Sequence, residues 1–436
     1  MPLNDRSKLT GEVAVSQETF QEYKRQIASI QDLKSFLENQ DVQDITKTTS
    51  QLLCSAVILE ASDVHIEPQE HNAKVRLRLD GLLQDAAAIP APLYAALLSR
   101  IKLASGLKLN VEDRPQDGRL SLSIEGGSPI EIRTSTLPSE YGETIVMRVL
   151  NPKRLIALQD LGLRKDLVTL FIKELKKPNG MVAVTGPTGS GKTTTLYAFL
   201  KEVQKPEIKI VTIEDPIEYH LEGISQTQAH PEKGYDFASG LRAIVRQDPD
   251  VILVGEIRDG ETAQIALQSA LTGHLVFSTL HTNDAAGTVA RLESLGAEPN
   301  NISSALNIII AQRLVRKICK TCGASSEATP KEAEKIQRAI SSLPKAMKPS
   351  FSKTAQLKKA KGCKACNGTG YKGRMGIFEA MEIAEETEKF ILTSPSTSSL
   401  KEFAIQHGMI TMLQDGILKV LEGVTTLEEV ERVTEE

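Results

Sequence analysis

A short glycine-rich stretch between an apolar run and a helical run decides the fold of this chain. Residues 181–204 read MVAVTGPTGSGKTTTLYAFLKEVQ. The first five residues suit a buried strand, and the residues after the glycines suit a helix. Between them, GPTGSGKT at residues 186–193 fits the P-loop pattern G-x-x-x-x-G-K-[ST]. A strand, a glycine turn and a helix in this order predict a phosphate-binding site.

The residue types of this turn suit phosphate chemistry. Glycines let the backbone curl so that successive N–H groups point at phosphate oxygens, and the following helix presents its positive end to the same anion. Lys192 would reach the β and γ phosphates, and the Thr193 hydroxyl would ligate Mg²⁺. The candidate nucleotide contacts are Gly186, Pro187, Thr188, Gly189, Ser190, Gly191, Lys192, Thr193 and Thr194. We therefore predict ATP and Mg²⁺ as cofactors; a chance glycine turn is the alternative, which the flanking strand and helix disfavour.

Strand-like and helix-like runs alternate after this turn. IKIVTIED at 208–215, VILVG at 251–255 and LVFSTL at 275–280 are strand candidates, and helical runs lie between them. Such alternation predicts a parallel sheet covered on both faces. The expected fold class is α/β, with a RecA-like P-loop NTPase domain at residues 179–318.

The flanking segments differ in pattern. Residues 51–150 contain short runs with period-2 alternation, such as AKVRLRLDG, and one helical run, which together predict a smaller α+β domain with a mainly antiparallel sheet. Residues 1–50 form a polar arm with one helical candidate, near residues 20–38, that either packs on its own protein or docks a partner. The remaining segments are a linker at 151–178, a cysteine-containing insertion of low apolar content at 319–376, and a helical C-terminal region at 377–436.

Acidic residues follow two of the predicted strands. TIEDPIEY places Glu214, Asp215 and Glu218 at the carboxyl end of one strand, which is the edge where open parallel sheets bind ligands. We expect Glu214 to orient or deprotonate the attacking water. Glu218 reads equally well as a solvated acid in the loop.

The second acidic stretch, DVILVGEIRD at residues 250–259, departs from the usual pattern. A P-loop enzyme commonly ends this strand with an Asp that helps to hold Mg²⁺, but Gly255 stands there and Glu256 follows. We expect Glu256 to hold Mg²⁺ directly or through its waters, although the roles of Glu214 and Glu256 could be exchanged. Asp259, like Glu218, also reads as a solvated loop-end acid.

A histidine follows a further strand. In STLHTNDAAGTVARL, His281 comes just after the strand, where it could sense the γ-phosphate by hydrogen bonding. A lone histidine is as well explained by a structural role, and the spacing leaves both interpretations open.

Four of the five cysteines form two C-x-x-C pairs. Such pairs place two thiolates each around one tetrahedral zinc, and four sulfurs leave no open coordination position, so the predicted site is structural. A redox-active pair is the alternative. The predicted ligands are Cys319, Cys322, Cys363 and Cys366, whereas Cys54 reads as a small buried residue.

Composition limits the function classes. The formal net charge is -4 and aromatic residues make up 4% of the chain, which argues against electrostatic attraction to nucleic acid and against base-stacking surfaces. No run approaches the roughly 20 apolar residues of a membrane span. We expect a cytoplasmic protein with no nucleic-acid partner. Two alternative functions are a RecA-like nucleic-acid motor, suggested by the zinc knuckles and the basic run KKAKGCKAC, and a nucleotide-gated scaffold with little turnover.

Four stretches together carry a family resemblance. GPTGSGKTTTLY, TIEDPIEY, LRAIVRQDPDVILVGEIRD and STLHTNDAAGT resemble, in order and context, the motifs of the secretion ATPase superfamily, the motors of type II secretion and type IV pilus assembly. The resemblance runs from about residue 50 to the C-terminus. It implies that Gly255 before Glu256 is normal, that Glu214 is the catalytic glutamate, and that His281 is functional.

The same resemblance extends to the flanking segments. RTSTLPSEYGETIVMRVL resembles the segment that carries two arginines contacting the γ-phosphate, here Arg133 and Arg148; without the resemblance they read as strand residues on a solvated face. QRLVRKIC and GTGYKGRMGIFE resemble the metal-binding element that is typical of assembly motors and usually absent from retraction motors.

The resemblance also implies partners. It predicts a homo-hexamer, peripheral to the inner membrane, that works with inner-membrane platform and anchoring proteins to assemble a pseudopilus or pilus. Family members often carry a further N-terminal docking domain, so either docking is reduced to the helix near residues 20–38 or the chain is a shortened form. The motor motifs are shared by secretion and pilus machines, so they predict the class of motor only.

Overall fold

A computed structural model describes residues 11–38, 44–151, 156–352 and 354–434. The chain divides into two compact units. The first contains the described residues up to Asn151 together with Cys319–Cys322 and Lys361–Lys372, and the second contains the remainder.

The first unit is built on a seven-stranded sheet with the order β1-β5-β6-β7-β2-β3-β4. Its strands are β1 (Glu12–Val15), β2 (Asp63–Pro68), β3 (Asn72–Leu79), β4 (Leu82–Pro90), β5 (Gln116–Ile124), β6 (Ile130–Ser139) and β7 (Gly142–Leu150). Its helices are α1 (Gln17–Gln26), α2 (Ile30–Glu38), α3 (Ile45–Ile58) and α4 (Ala91–Ala104). Apart from the parallel pair β1–β5, the recorded strand pairs are antiparallel.

Sequence alternation explains how this sheet forms. Along β3, every second residue is buried, and Val75 and Leu77 are fully inaccessible. The turn into β4 places Asp80 and Gly81 at φ values of 48° and 88°, the left-handed region that an Asp-Gly hairpin turn requires. The apolar face of the sheet therefore packs under the helices, with Leu97 and Ile101 of α4 in the same core.

The second unit is built on another seven-stranded sheet, with the order β10-β9-β11-β12-β8-β13-β16. Its strands are β8 (Gly180–Thr185), β9 (Ile210–Glu214), β10 (Ser225–Gln228), β11 (Val251–Val254), β12 (Leu275–Leu280), β13 (Leu306–Ile318) and β16 (Tyr371–Glu382), and a separate small antiparallel pair consists of β14 (Ala324–Glu327) and β15 (Gln356–Lys359). Its helices are α5 (Lys165–Leu175), α6 (Lys192–Val203), α7 (Phe237–Val245), α8 (Gly260–Leu271), α9 (Ala285–Ser294), α10 (Pro299–Ala305), α11 (Pro330–Ser341), α12 (Glu385–Ile391), α13 (Thr397–Gln406), α14 (Met412–Leu421) and α15 (Leu427–Thr434).

Strand β8 lies inside this sheet and is buried on both faces. It pairs in parallel with β12 on one side and with β13 on the other. Met181 and Ala183 contribute to one apolar core, whereas Val182 and Val184 contribute to the core on the opposite face. A continuous apolar strand followed by glycines is thus held rigidly from both sides, which fixes the position of the turn that it leads into.

The structure refines the predicted segments. The arm has two helices where the sequence predicted one, because α1 ends at Gln26 and α2 begins at Ile30. The predicted linker at 151–178 contains α5, whose Phe171 is buried. Residues 323–360 of the cysteine-containing insertion belong to the second unit, where Ile336 and Ile340 of α11 enter its core.

Among the residues that the structure describes, no helix combines the length and the apolar character that a membrane crossing requires.

Candidate functional site

The glycine-rich turn after β8 adopts the backbone that its sequence predicts. Gly186, Gly189 and Gly191 have φ values of 148°, 82° and 91°. A Cβ atom at Gly186 would lie 2.6 Å from the Gln312 carbonyl oxygen, so only glycine fits there. Helix α6 begins directly afterwards, and its N-terminal N–H groups therefore face the turn.

Lys192 and Ser190 show that the turn suits an anionic ligand. The Lys192 Nζ atom donates to the carbonyl oxygens of Gly186 at 2.7 Å and Pro187 at 3.2 Å. Burial lowers the pKa of Lys192 to about 8, against the opposing effect of Glu256. The Ser190 Oγ atom is buried and has no hydrogen-bond partner within the described part of the chain. A lysine, an unpartnered hydroxyl and a helix N-terminus at one turn fit the phosphates of a nucleotide.

Glu214, the last residue of β9, is held in one orientation. Its side chain is 4% exposed. Thr212 Oγ1 and Gln226 Nε2 donate to Glu214 Oε1 at 2.6 and 3.1 Å, and the Tyr197 hydroxyl of α6 donates to Oε2. Three donors fix the rotamer of this carboxylate, which is what a residue that positions or deprotonates water needs.

Glu256 and His281 lie together beside Lys192. The distance from His281 Nε2 to Glu256 Oε2 is 3.5 Å, and Arg258 Nε lies 2.6 Å from the same oxygen. Burial lowers the pKa of His281, and the nearby Lys192 ammonium lowers it further. The structure therefore brings three predicted site residues from three different segments into one charged cluster.

Close packing explains why glycine replaces the usual Asp at position 255. Residues Val254 and Ile213 are register partners on adjacent strands, so Gly255 follows directly beside Glu214. The Gly255 N–H donates to the Ile213 carbonyl at 2.8 Å. A Cβ atom at Gly255 would lie 3.2 Å from that oxygen and 3.3 Å from Glu214 Cα, closer than ordinary contact. The acid is displaced by one residue, to Glu256, because the backbones of the two strands approach here.

Asp259 has a structural role. It is the N-cap of α8, and its carboxylate accepts hydrogen bonds from the Thr262 N–H at 2.8 Å and the Thr262 hydroxyl at 3.0 Å. Helix capping by Asp259 was not among the roles that the sequence predicted for this residue.

Arg133 and Arg148 belong to the first unit, where they are register partners on β6 and β7. Arg148 Nε lies 3.1 Å from Asp63 Oδ1, and Arg133 Nε lies 3.8 Å from Glu131 Oε1. The two guanidinium groups thus project from neighbouring positions of one sheet. Their contact with a nucleotide in the second unit stays a prediction.

The four paired cysteines converge. Their sulfur atoms all lie within 4.8 Å of one another, with Sγ–Sγ distances of 3.9 Å for Cys319–Cys363, 3.8 Å for Cys322–Cys366 and 3.7 Å for Cys363–Cys366. A tetrahedron of thiolates about 2.3 Å from a central zinc has edges of about 3.8 Å. The N–H groups of Cys363 and Gly370 donate to Cys366 Sγ at 3.1 and 3.2 Å. This arrangement is a possible metal site.

Two residues that support the glycine-rich turn and the loop after β12 were not predicted from the sequence. Gln312 Nε2 donates to the Ser190 carbonyl at 2.7 Å, and Arg313 Nη2 donates to the Asn283 carbonyl at 3.1 Å. Both residues lie on β13, at 1% and 6% exposure. Their signal in the sequence is a pair of polar residues inside the apolar run LNIIIAQRLV, of which only QRLV belongs to the stretch that resembles the metal-binding element.

The fold and the turn define a class. A mostly parallel sheet that carries a P-loop between β8 and α6, with acids at or just after the ends of β9 and β11, defines a P-loop nucleotide-binding protein of the α/β class. A family model described as "Type II/IV secretion system protein" matches residues 38–432. The chain therefore belongs to the type II/IV secretion system protein family.

Individual relatives agree with this family. The chain is 43% identical over 412 residues to Type II secretion system protein E of Xanthomonas campestris pv. campestris, covering 94% of this chain and 70% of that protein. It is 43% identical over 385 residues to Type IV pilus assembly ATPase PilB of Thermus thermophilus, covering 88% of this chain and 42% of that protein. The chain thus spans less than half the length of that pilus ATPase.

Solved structures give the same fold. The ATPase DotB of Legionella pneumophila superposes with a TM-score of 0.67 at 20% identity, covering 92% of this chain and 98% of that one. The pilus retraction motor PilT, solved with bound ADP, superposes with a TM-score of 0.59 at 25% identity, covering 89% of this chain and 97% of that one. The predicted family and general fold class are confirmed.

Proposed function

We propose that this chain hydrolyses ATP on a RecA-like domain and uses the energy to drive assembly of a pseudopilus or pilus. The observation that carries the proposal is the cluster of Lys192, Glu256 and His281 beside a glycine-rich turn whose backbone only glycine can adopt. The relatives named as ATPases of type II secretion and type IV pilus assembly support the same activity.

The residues divide the work of hydrolysis. Lys192 and the backbone N–H groups of the P-loop would hold the phosphates, and Thr193 and Glu256 would hold Mg²⁺, which when bound neutralises phosphate charge. Glu214 orients a water and accepts its proton, since its three hydrogen bonds already fix the carboxylate. His281 donates a hydrogen bond toward the terminal phosphate.

Arg133 and Arg148 would add positive charge at the terminal phosphate. An arginine contributed by a second, movable unit accelerates phosphoryl transfer by roughly 10³ to 10⁵ in well-studied NTPases. Dependence on such a residue makes hydrolysis contingent on domain closure, which couples chemistry to movement. We propose that this coupling acts within a homo-hexamer bound to inner-membrane platform and anchoring proteins at the cytoplasmic face.

The four cysteines are proposed to hold a structural zinc. The sulfur separations match a tetrathiolate site, and the N–H donors to Cys366 Sγ are those that stabilise a thiolate ligand. The measurement is the metal content of the purified protein by mass spectrometry. We expect about one zinc per chain, lost in Cys363→Ser; an intact protein without zinc contradicts the assignment.

Steady-state ATPase activity tests the central proposal. Lys192→Ala and Glu214→Gln should each lower kcat by at least about 100-fold, as removal of a phosphate-binding charge or a catalytic carboxylate does. Lys201→Ala and Glu202→Gln are matched controls, because both residues are exposed on the same helix α6. Equal rates in the wild type and the two site variants would remove the mechanism. Strong stimulation by single-stranded DNA would support a nucleic-acid motor in its place.

A further inference from the structure

Arg313 occupies an unusual place for a cation. It lies on β13, which pairs with β8 up to the partners Ala311 and Thr185, so Arg313 runs alongside the start of the P-loop. Its side chain is almost fully buried. Burying a guanidinium is costly unless its N–H groups are hydrogen-bonded, so the contacts it makes reveal what it stabilises.

Those contacts join two parts of the proposed site. Arg313 Nη1 donates to the Gln312 carbonyl at 3.2 Å, and that same oxygen lies against Gly186. Arg313 Nη2 donates to the carbonyl of Asn283 at 3.1 Å and approaches its Oδ1 atom at 3.4 Å. One planar guanidinium, placed beside Gly186, thus connects β13 with the loop that follows β12.

The connected loop carries His281. A second tie anchors it, because the Thr282 N–H donates to the Thr185 hydroxyl at 2.9 Å. Asp284 then caps α9 by accepting from the Gly287 N–H at 2.9 Å. Between these fixed points, the Asn283 carbonyl is held by Arg313. Release of that carbonyl would let the loop shift, and His281 with it.

We propose that Arg313 is a positioning residue for ATP hydrolysis: it fixes the loop of residues 281–284 against β13, beside the P-loop, so that His281 stays beside Glu256 and Lys192. The inference rests on the proposed ATPase function. Arg313 acts through the loop, since its guanidinium is engaged with backbone carbonyls on both sides. A displacement of even 1 Å in a catalytic group lowers rates by about 100-fold.

The test uses the full chain and two substitutions. Arg313→Met keeps the size of the side chain and removes its hydrogen bonds, and Arg313→Lys keeps the charge while losing the two-sided geometry. Both should lower kcat by about tenfold or more, while the Kd for ADP stays within about threefold. Arg338→Met, a change to an exposed arginine on α11, is the matched control and should leave both values unchanged.

Two further measurements separate positioning from other roles. Amide hydrogen exchange at residues 282–285 should accelerate in both Arg313 variants, and this readout does not depend on turnover. In a double-mutant cycle, adding His281→Ala to Arg313→Met should cost less than the product of the single effects, because both changes disable the same group.

The outcomes are distinct. Unchanged exchange at residues 282–285, or kcat within about twofold of wild type, overturns the inference. An ADP Kd that rises in step with the loss of kcat also overturns it, because Arg313 would then bind nucleotide directly. If Arg313→Met does not fold, Arg313→Lys decides. A wild-type chain without ATPase activity defeats the proposed function, whereas the exchange measurement still shows whether Arg313 holds the loop.

Discussion

Replacement of Gly255 by Asp places an acid at the usual position, and the structure predicts that it inactivates the enzyme. A Cβ atom at this position lies 3.2 Å from the Ile213 carbonyl oxygen and 3.3 Å from Glu214 Cα, so the end of β9 must move by a few tenths of an ångström. Overpacking of this kind costs about 1–3 kcal/mol. Gly→Ala also reduces the conformational entropy of the unfolded chain, which offsets about 0.4–1 kcal/mol of this destabilisation.

Substitution of Gly255 should therefore lower ATPase activity more than it lowers the stability of the fold. The substitution displaces Glu214, whose carboxylate accepts three side-chain hydrogen bonds. The donors do not all move with Glu214, so the geometry of these hydrogen bonds changes. We expect Gly255→Ala to lower the free energy of unfolding by about 1 kcal/mol and kcat by about tenfold. Gly255→Asp should lower kcat further, since it adds a like charge beside Glu214.

The assay is steady-state ATPase activity with urea unfolding of the same preparations. Gly127→Ala is the control, because a Cβ atom there meets its nearest neighbour at 3.4 Å, which is ordinary contact. The reasoning is refuted if Gly255→Ala has wild-type kcat, or if Gly255→Asp is more active than the wild type.

Three further predictions concern stability and the metal site. Burial raises the pKa of Glu429, but hydrogen bonds from Arg432 and Arg316 outweigh it and lower this pKa to about 2. The ionised Glu429 side chain therefore stabilises the folded chain by about 2 kcal/mol, after allowance for screening. This stabilisation is present above pH 4.5 and is lost as the pH falls toward 2. Glu429→Gln should thus unfold more easily than the wild type at pH 7 and no more easily near pH 2, and a constant difference by urea titration across this range would contradict the assignment. Removal of metal with a chelator should accelerate hydrogen exchange in α2, because Asn367, next to Cys366, accepts from the Ile30 N–H at 2.8 Å. Asn367→Gly should accelerate exchange in α2 in the same way while the metal stays bound. Unaltered exchange in α2 after verified metal loss would contradict this prediction. Ile336→Ala should lower the free energy of unfolding, measured with urea, by about 2–5 kcal/mol, as for other fully buried side chains. Gln337→Ala, an exposed substitution on the same helix, should lower it by less than about 0.5 kcal/mol. A decrease below about 1 kcal/mol for Ile336→Ala would contradict the placement of α11 in the core.

Much of the second unit was predictable, because its signals are local. The apolar run before Gly186 and the helix after Lys192 are found where periodicity placed them, as β8 and α6. Glu214 and Glu256 were recognisable since strand ends of a parallel sheet share an edge. Each of these inferences depends on residues close together in the chain.

The missed features depend on contacts between distant segments. Gln312 bonds to Ser190, which lies 122 residues earlier in the chain, and the register of β13 on β8 brings the two together. The reason for Gly255 likewise needed the backbone of β9 beside it. The Ile30 N–H at the start of α2 donates to Asn367, which lies 337 residues further along the chain.

The junction between α2 and the cysteine knuckle links two equilibria. Lys364 Nζ lies 3.1 Å from Asp32 Oδ1, and the Asn367 side chain accepts from the Ile30 N–H. Folding of α2 and the arrangement of the four cysteines therefore stabilise each other. Linkage of this kind is reciprocal. If the four cysteines hold a metal ion as proposed, unfolding of α2 weakens metal binding, and a partner that stabilises α2 slows the release of the metal. The rate of metal exchange would then report on the stability of α2.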